Sequence, residues 1–270
     1  MKIPFTKAHG DMNDFLLTWE ADAGAGDLPA AARAICARHT GVGADGWLIV
    51  TPSAGEVNGR IVLYNSDGSL AEMSGNGTRC AAAFLIEAGL AADVIRIGTG
   101  AGVKELRLVE RQRRTYLLEM NMGKPVCAPG DDRARLELSS GPKEAVVLDV
   151  GNPQCALFVD DFDFDWQALG REIESFSLFP NRTNVSFVRV VDRHTIDVRF
   201  YERGAGVTMS SGTGSTGAAY ASLLRGYVDS PVRVDTPAGG LDIVERRGAL
   251  LLTGPAQIVA AGEYFCSFGS

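Results

Sequence analysis

Several features of the sequence are scarce or missing, and each absence excludes a class of protein. No apolar stretch reaches the roughly 18 residues that a membrane-spanning helix needs, so we expect none. The start, MKIPFTKAHG, lacks the apolar core of a signal peptide, and we expect a protein that is not exported. Cysteine is limited to an odd number of scattered residues without a C-x-x-C pair, which favours reduced thiols in the cytoplasm. These cysteines are Cys36, Cys80, Cys127, Cys155 and Cys266.

Binding groups for metals and nucleic acids are also scarce. Only three histidines occur, they are isolated from one another, and they offer little for a metal site. The net charge is −7 and the basic residues form no cluster, which argues against a nucleic-acid partner. With 46% hydrophobic and 22% charged residues the composition is that of a globular protein, and with 32 glycines that residue is over-represented.

The glycines fall in clusters, and the clusters recur at a nearly constant spacing. IVLYNSDGSLAEMSGNGTRCAAAFL begins at position 61, and VRFYERGAGVTMSSGTGSTGAAYASLL begins at position 198. Matched residues lie 135 to 139 positions apart: Tyr64 and Tyr201, Ser74 and Ser211, Thr99 and Thr236, Asn13 and Asn152, and the V-E-R segments 109–111 and 244–246. The sequence therefore predicts an internal duplication, with two copies of one fold fused in tandem.

Each copy shows the same coarse order of predicted elements. An early helix (28–38, and 165–175 in the second copy) precedes β-branched strands, and a Gly-rich turn then opens an Ala-rich helix (75–88 and 212–226). A hairpin closes each copy. Because helices and strands mix without a strict βαβ rhythm, we predict an α+β fold with a mixed sheet or open barrel around each Ala-rich helix. The small residues of these helices suit a position inside the sheets.

The Gly-rich segments S-G-N-G-T and S-G-T-G-S precede the two Ala-rich helices. A helix start leaves backbone N–H groups unpaired, and its dipole favours an anion there. Two such starts could face each other across a cleft and hold one carboxylate or phosphate. Alternatively, each is an ordinary N-cap with serine as the capping residue. Neither segment has the Gly-Lys-Ser/Thr ending of a P-loop or a G-x-G-x-x-G pattern, so a nucleotide site is not indicated.

Six motifs, in order along nearly the whole chain, resemble those of the diaminopimelate epimerase family. They are HGDMNDF (9–15), GVGAD (41–45), YNSDGSLAEMSGNGTRC (64–80), GNPQC (151–155), FPNRTNV (179–185) and YERGAGVTMSSGTG (201–214). The resemblance implies two pseudo-symmetric halves, 1–118 with 259–270 and 119–258, and an active site in the cleft between them. It also implies interconversion of LL- and meso-diaminopimelate for lysine and peptidoglycan synthesis, without pyridoxal phosphate or metal. Homodimers occur in this family.

The resemblance also implies a two-base mechanism. Members of the family use a cysteine at each Gly-rich helix start, one as a thiolate that removes the α-proton and one as a thiol that returns a proton to the opposite face. A helix start lowers a thiol pKa and binds the substrate carboxylate. Both cysteine positions are serine in this chain, Ser74 and Ser211. Serine needs an adjacent base to lose its proton, and Glu202, which matches the family's glutamate, is the candidate partner of Ser211.

Three further positions depart from the family pattern. Gln154 replaces a histidine, Gly46 a glutamine and Thr216 a cysteine. Three interpretations follow. The protein is a natural epimerase whose serines relay protons through Glu202; or the serines were introduced to trap a bound state, which leaves the other departures unexplained; or the scaffold binds an amino acid without two-base chemistry. A variant of the third is a carboxylate-base isomerase that uses Glu202 or Asp45.

The substrate-binding residues match the family pattern more fully. Asn side chains accept from an ammonium and donate to a carboxylate, and arginine grips a carboxylate with two hydrogen bonds. The backbone N–H groups at the helix starts would hold the reacting α-carboxylate. The predicted binding residues are Asn13, Asn65, Gly75, Asn76, Asn152, Asn184, Glu202, Arg203, Gly212 and Thr213.

Overall fold

A computed structural model describes residues 2–265 of the chain, which form two compact units. Unit 1 comprises residues up to Met120 together with those from Gly254 onward, and unit 2 comprises Asn121–Thr253. The predicted α+β class and the internal duplication are both confirmed. That the active site lies between the two halves stays a prediction, as do the half boundaries implied by the resemblance.

Unit 1 is a mixed sheet that curves around one helix. Its elements are β1 (Lys2–Gly10), β2 (Asn13–Trp19), α1 (Glu20–Ala23), α2 (Leu28–Cys36), β3 (Gly46–Pro52), β4 (Gly59–Asn65), β5 (Leu70–Ala71), α3 (Gly75–Glu87), β6 (Val94–Thr99), β7 (Gly102–Gln112) and β8 (Thr115–Gly123). Strand β2 runs parallel to β3, β4 runs parallel to β6, and the other neighbours are antiparallel. All of α3 as far as Ile86 is buried, as its small apolar residues predict.

Unit 2 repeats this arrangement. Its elements are a 3-10 turn (Asp131–Arg133), β9 (Ala134–Leu138), β10 (Gly141–Asp149), β11 (Pro153–Phe158), α4 (Trp166–Glu174), β12 (Asn184–Asp192), β13 (Thr195–Glu202), β14 (Gly206–Thr208), α5 (Gly212–Leu224), β15 (Val232–Thr236), β16 (Gly239–Arg246) and β17 (Ala249–Phe265). Its parallel pairs are β11 with β12 and β13 with β15, at the places that β2–β3 and β4–β6 hold in unit 1. The part of β17 from Gly254 onward belongs to unit 1, where its residues from 257 on pair with β1.

The duplication extends to single hydrogen bonds. In the turn after β6, the Thr99 hydroxyl donates to the carbonyl of Gly102 over 2.7 Å, and Thr236 makes the same 2.7 Å bond to Gly239 after β15. The early helices also start alike. Asp27 accepts from the N–H of Ala30 at 3.0 Å, and Asp165 accepts from that of Ala168 at 2.9 Å. Equal turns and caps at equal spacing explain why the motifs recur in the sequence.

The helices α3 and α5 have glycines at matched positions, Gly77 and Gly214, and the second is packed more tightly than the first. The pair therefore gives a matched test of the fold. A Cβ added at Gly214 would lie 2.8 Å from the Phe200 ring, whereas one at Gly77 would lie 3.3 Å from the Phe15 ring. We expect Gly214→Ala to lower the free energy of unfolding by about 1–3 kcal/mol, because extra volume in a packed core is destabilising. For Gly77→Ala, a gain of about 1 kcal/mol in helix propensity offsets the milder crowding. Urea denaturation of the two variants measures the difference, and equal losses would contradict it.

No helix in the part of the chain from 2 to 265 combines the length and the apolar character that crossing a bilayer requires.

Candidate functional site

The two Gly-rich segments form the N-terminal ends of α3 and α5, as predicted. Ser74 caps α3, and its Oγ accepts from the N–H of Gly77 at 3.1 Å. Ser211 caps α5 in the same way, with the N–H of Gly214 at 3.0 Å. The residues that follow each cap, Gly75-Asn76 and Gly212-Thr213, hold the first two helical positions, whose N–H groups have no partner within a helix. Each unit therefore has a serine hydroxyl beside a ready anion site.

In unit 2 this serine has a carboxylate partner. Glu202 ends β13, is half-buried, and forms a side-chain hydrogen bond with Ser211. Burial raises the pKa of Glu202, and the hydrogen bond from Ser211 partly opposes that rise. A carboxylate with a raised pKa is a better proton acceptor near neutrality, and here it contacts a hydroxyl at a helix start.

Unit 1 lacks this arrangement. The residue 137 positions before Glu202 is Asn65, which ends β4 and donates from Nδ2 to the Oγ of Ser69 at 3.0 Å. Within residues 2–265 the hydrogen bonds recorded for Ser74 join it to backbone N–H and hydroxyl groups of α3 only. The two serines are therefore equivalent in position but different in acid–base surroundings.

Asn13 of unit 1 is held by a charged cluster. Its Nδ2 donates to Asp45 Oδ2 at 2.7 Å, and Arg38 donates to both Asp45 (2.6 Å) and Asp14 (2.7 Å). Lys7 lies 3.0 Å from Asp14. Burial opposes ionisation of Asp14, but its bonds to Arg38 and Lys7 outweigh burial and lower its pKa. Asn13 is thus anchored to Asp45, which shares the Arg38 guanidinium with Asp14.

Asn152 of unit 2 is held by neutral groups instead. The buried Gln154 donates from Nε2 to Asn152 Oδ1 at 2.7 Å, and Asn152 Nδ2 lies 3.3 Å from Thr213 Oγ1. Gln154, where the resemblance implies a histidine, therefore orients a predicted binding residue. An amide cannot take up a proton as imidazole does, so it supplies no base here.

Asn184 and Arg203 are linked directly. The Asn184 side chain accepts from the backbone N–H of Arg203 at 3.0 Å and donates to the carbonyl of Pro153 at 3.0 Å. The Arg203 guanidinium is exposed, donates to the carbonyl of Asn181 at 3.3 Å, and lines a surface pocket of about 280 Å³. A charged fork beside an open pocket can bind a carboxylate.

Glu174 is a neighbour of the candidate site that the sequence patterns did not reveal. This buried carboxylate accepts from the N–H of Gly204 at 2.9 Å and pairs with Arg182 at 2.6 Å, so it fixes the turn that carries Arg203. An acidic residue on the same helix face as Trp166 and Ile173, both buried, is the signal that could have found it.

The described cysteines are not at the helix starts. Burial raises the pKa of Cys36 and of Cys80 to about 12, and it raises that of Cys155 as well. Both Cys80 and Cys155 are fully buried, as expected for core thiols, and Cys266 lies outside the described residues. In residues 2–265 no group of three His, Cys, Asp or Glu side chains is arranged to hold a metal ion.

Solved structures of amino-acid epimerases and related isomerases share this fold. The chain superposes on the crystal structure of a hydroxyproline epimerase from Agrobacterium vitis with a TM-score of 0.69, 14% identity, and coverage of 99% of this chain and 92% of the other. For a methylitaconate-delta-isomerase the TM-score is 0.70 at 15% identity, with coverage of 100% and 98%. At these identities the likeness establishes the fold alone.

The sequence comparisons are more specific than the structural ones, because they identify a family. The profile of the diaminopimelate epimerase family matches residues 5–128 and 146–259. The diaminopimelate epimerase of Pelotomaculum thermopropionicum is 40% identical over 96% of this chain and 98% of its own length. The chain belongs to the diaminopimelate epimerase family, and with it to the isomerases that act on amino acids.

Proposed function

We propose that the chain epimerises LL-diaminopimelate to meso-diaminopimelate without a cofactor, by proton transfer to and from the two faces of the α-carbon. The observation that carries the proposal is the hydrogen bond between Ser211, at the start of α5, and the partly buried Glu202. The Glu202 carboxylate is the adjacent base that a serine requires to lose its proton. Membership of the family supports the substrate class, and the relative at 40% identity bears the name diaminopimelate epimerase.

In this proposal Ser211 and Glu202 act as one base. As the Ser211 oxygen takes the α-proton, its own proton passes to Glu202, and the electron pair of the broken C–H bond remains on the α-carbon. Ser74 then gives its hydroxyl proton to the opposite face, which leaves an alkoxide at the start of α3. There the helix dipole and the N–H of Gly77 stabilise negative charge. Between turnovers Glu202 gives its proton to solvent and the Ser74 alkoxide takes one from water, which restores both groups. The reverse reaction runs through the same atoms in the opposite order.

Substrate contacts follow from the donors and acceptors described above. The N–H groups of Gly75-Asn76 and Gly212-Thr213 hold the α-carboxylate, whose negative charge increases when the α-proton leaves. Arg203 takes the distal carboxylate, and the carboxamides bind the ammonium groups and remaining oxygens. These carboxamides belong to Asn13, Asn65, Asn152 and Asn184.

Exchange of the α-hydrogen with solvent tests the proposal. Purified protein is incubated in D2O with LL- or meso-diaminopimelate, and loss of the α-proton signal is followed by proton NMR. We expect exchange together with formation of the other epimer. Folded protein that binds diaminopimelate but exchanges nothing would contradict the epimerase and favour a binding protein, which calorimetry would detect.

A second candidate function is a carboxylate-base isomerase. It is favoured by the asymmetry of the two units, because Glu202 has a raised pKa while Asn65, at the matching position, has no charge. One solved structure with this fold bears the name methylitaconate-delta-isomerase, so a protein with the same scaffold is named for an isomerisation. In that case Glu202 alone moves the proton of an unsaturated acid, and Ser211 only caps its helix.

The proposal includes a cytoplasmic location, where both lysine and peptidoglycan precursors are made, and a homodimer. Sedimentation equilibrium of the purified chain tests the second point, and a monomer at micromolar concentration would contradict it.

A further inference from the structure

A buried guanidinium lies under the start of α3 in unit 1. Arg79 has 0% of its side chain exposed, and its Nη2 lies 2.8 Å from Asp11 Oδ2. Its Nε donates to the carbonyl of Pro255 at 3.1 Å, while Nη1 has no hydrogen-bond partner among the described residues. Burial lowers the pKa of Arg79, and the Asp11 charge opposes that shift. Charges without solvent are kept only where they are paired, so this pair requires a specific explanation.

The guanidinium also fixes the orientation of a binding residue. Arg79 Nη2 donates to Asn76 Oδ1 at 2.8 Å. Because the carboxamide oxygen is held by the cation, its NH2 group points away, and Asn76 Nδ2 donates to Asn13 Oδ1 at 3.2 Å. Asn13 in turn donates to Asp45. Two predicted substrate contacts, Asn76 and Asn13, are therefore set in one orientation by charges at either end.

The second copy of the fold shows that the helix does not need this arginine. The residue 137 positions after Arg79 is Thr216, whose hydroxyl donates to the carbonyl of Gly212 within α5. Both helices have 13 residues and a serine cap. In unit 2 the neutral Gln154 orients Asn152. The arginine is therefore an addition to the scaffold that serves unit 1.

The chain around Arg79 is shaped to accept it. Asp11 and Met12, between β1 and β2, have φ of 51° and 62°, a conformation that side chains other than glycine rarely adopt. At Gly10 a Cβ would lie 3.2 Å from Arg79 Nη2 and 3.0 Å from the Pro255 carbonyl. Strained backbone of this kind persists where the surroundings hold it, often near a functional site.

We propose that Arg79 is a positioning residue: through its bond to Asn76 it fixes the Asn76 carboxamide, which in turn holds the Asn13 carboxamide in the orientation that binds substrate beside the start of α3. The role deepens the proposed function and rests on it for the substrate. Without Arg79 the Asn76 carboxamide is free to rotate, and substrate has to order it on binding.

Two readouts of Arg79→Lys test the role. The first needs no substrate: the side-chain NH2 resonances of Asn76, identified by their loss in Asn76→Asp, are compared in 15N-correlated NMR spectra. We expect them to shift in Arg79→Lys because the short ammonium cannot bond Asp11 and Asn76 as the fork does. The second is calorimetric affinity for diaminopimelate, expected to fall about tenfold, the size of one lost hydrogen bond to a charged group.

The matched control is Arg225→Lys. Arg225 also has a nearly buried side chain, pairs with Glu144 at 2.7 Å, and caps the C-terminal end of α5, away from the helix start. We expect its substitution to lower the melting temperature while affinity and the Asn76 resonances stay unchanged. If Arg79→Lys does not fold, Asp11→Asn with Arg79→Gln removes both charges together and serves for the same measurements.

The outcomes separate the two proposals. Unchanged Asn76 resonances, or an altered melting temperature with unaltered affinity, would overturn the positioning role. If the unsubstituted chain binds no diaminopimelate, the proposed function is wrong and the substrate part of this inference with it. Shifted resonances together with weakened binding would support both.

Discussion

Changing both Ser74 and Ser211 to cysteine is expected to raise the rate of α-hydrogen exchange by about 10²–10⁴-fold, the usual range for one well-matched acid–base group. A free thiol has a pKa of about 8.5 and a helix start lowers it, whereas a serine hydroxyl stays protonated unless a base takes its proton. Both positions are N-caps whose Oγ atoms accept from the helix N–H groups of Gly77 and Gly214. A thiolate at either place would be stabilised by the same dipole.

The measurement is solvent deuterium incorporation into diaminopimelate by the double variant, by each single variant and by the original chain. Ser74→Cys is expected to account for most of the gain, because Ser211 already has Glu202 as a partner, whereas within residues 2–265 Ser74 bonds only to groups of α3. Ser222→Cys is the matched control, since Ser222 is buried in α5 and its hydroxyl donates to the carbonyl of Ala218 in the same helix. We expect Ser222→Cys to leave the rate of deuterium incorporation unchanged.

A double variant no faster than the original chain would contradict the idea of a scaffold that needs only its thiols. The block to exchange would then lie at Gln154, which orients Asn152 but cannot carry a proton, or at Gly46. At Gly46 a Cβ would lie 2.9 Å from Leu63 and 3.0 Å from the Tyr64 carbonyl, so a glutamine there would require β3 and β4 to move. A substrate other than diaminopimelate would be the remaining explanation.

Much of the fold could be predicted because its signals are local. The predicted helices at 28–38, 75–88, 165–175 and 212–226 agree with α2, α3, α4 and α5 to within two residues at each end. Caps, small residues and Gly-rich turns act over one or two helical turns, and the duplication shows each signal twice. Cys80 is buried because it lies in the Ala-rich helix α3, which is buried along almost its whole length.

The charge networks could not be predicted because they join distant parts of the chain. Arg79 meets Asp11 across 68 positions, and Asn13 meets Asp45 across 32. No periodic pattern encodes such a pairing. In the sequence, an arginine inside an Ala-rich helix only interrupts the apolar pattern. The contrast between Glu202 and Asn65 was present in the 137-residue offset, but its meaning depends on burial and on the bond to Ser211.

Glu202→Gln is expected to lower exchange by about 10²–10⁴-fold, because glutamine cannot accept the proton that leaves Ser211. The pH dependence gives a second test. Since burial raises the pKa of Glu202, this carboxyl remains protonated, and inactive as a base, to higher pH than an exposed glutamate. Activity of the original chain should therefore rise with pH through that raised pKa, and the residual activity of Glu202→Gln should lose this step.

As pH rises, the contribution of Glu202 to the free energy of unfolding falls while the activity rises. This difference separates a catalytic loss from a folding defect. A carboxyl whose folded pKa is raised stabilises the fold fully below its unfolded pKa, and that contribution is lost as pH rises through the folded value. Glu202→Gln should accordingly unfold at no lower urea concentration than the original chain at neutral pH. Glu172→Gln on α4 is the control, because Glu172 is also a half-buried carboxylate that accepts from a serine hydroxyl, that of Ser139, and it should leave the exchange rate and its pH dependence unchanged.

Ser211→Ala measured beside Glu202→Gln decides between the two candidate functions. If Ser211 relays the proton, both substitutions stop exchange to a similar degree, because residues that act as one unit are not additive. If Glu202 takes the proton directly, Glu202→Gln abolishes turnover of an unsaturated acid, whereas Ser211→Ala costs only helix-cap stability of about 0.5–2 kcal/mol. Full exchange of diaminopimelate by Glu202→Gln would contradict both mechanisms, since each needs this carboxylate to accept a proton, from Ser211 in the first and from the substrate in the second.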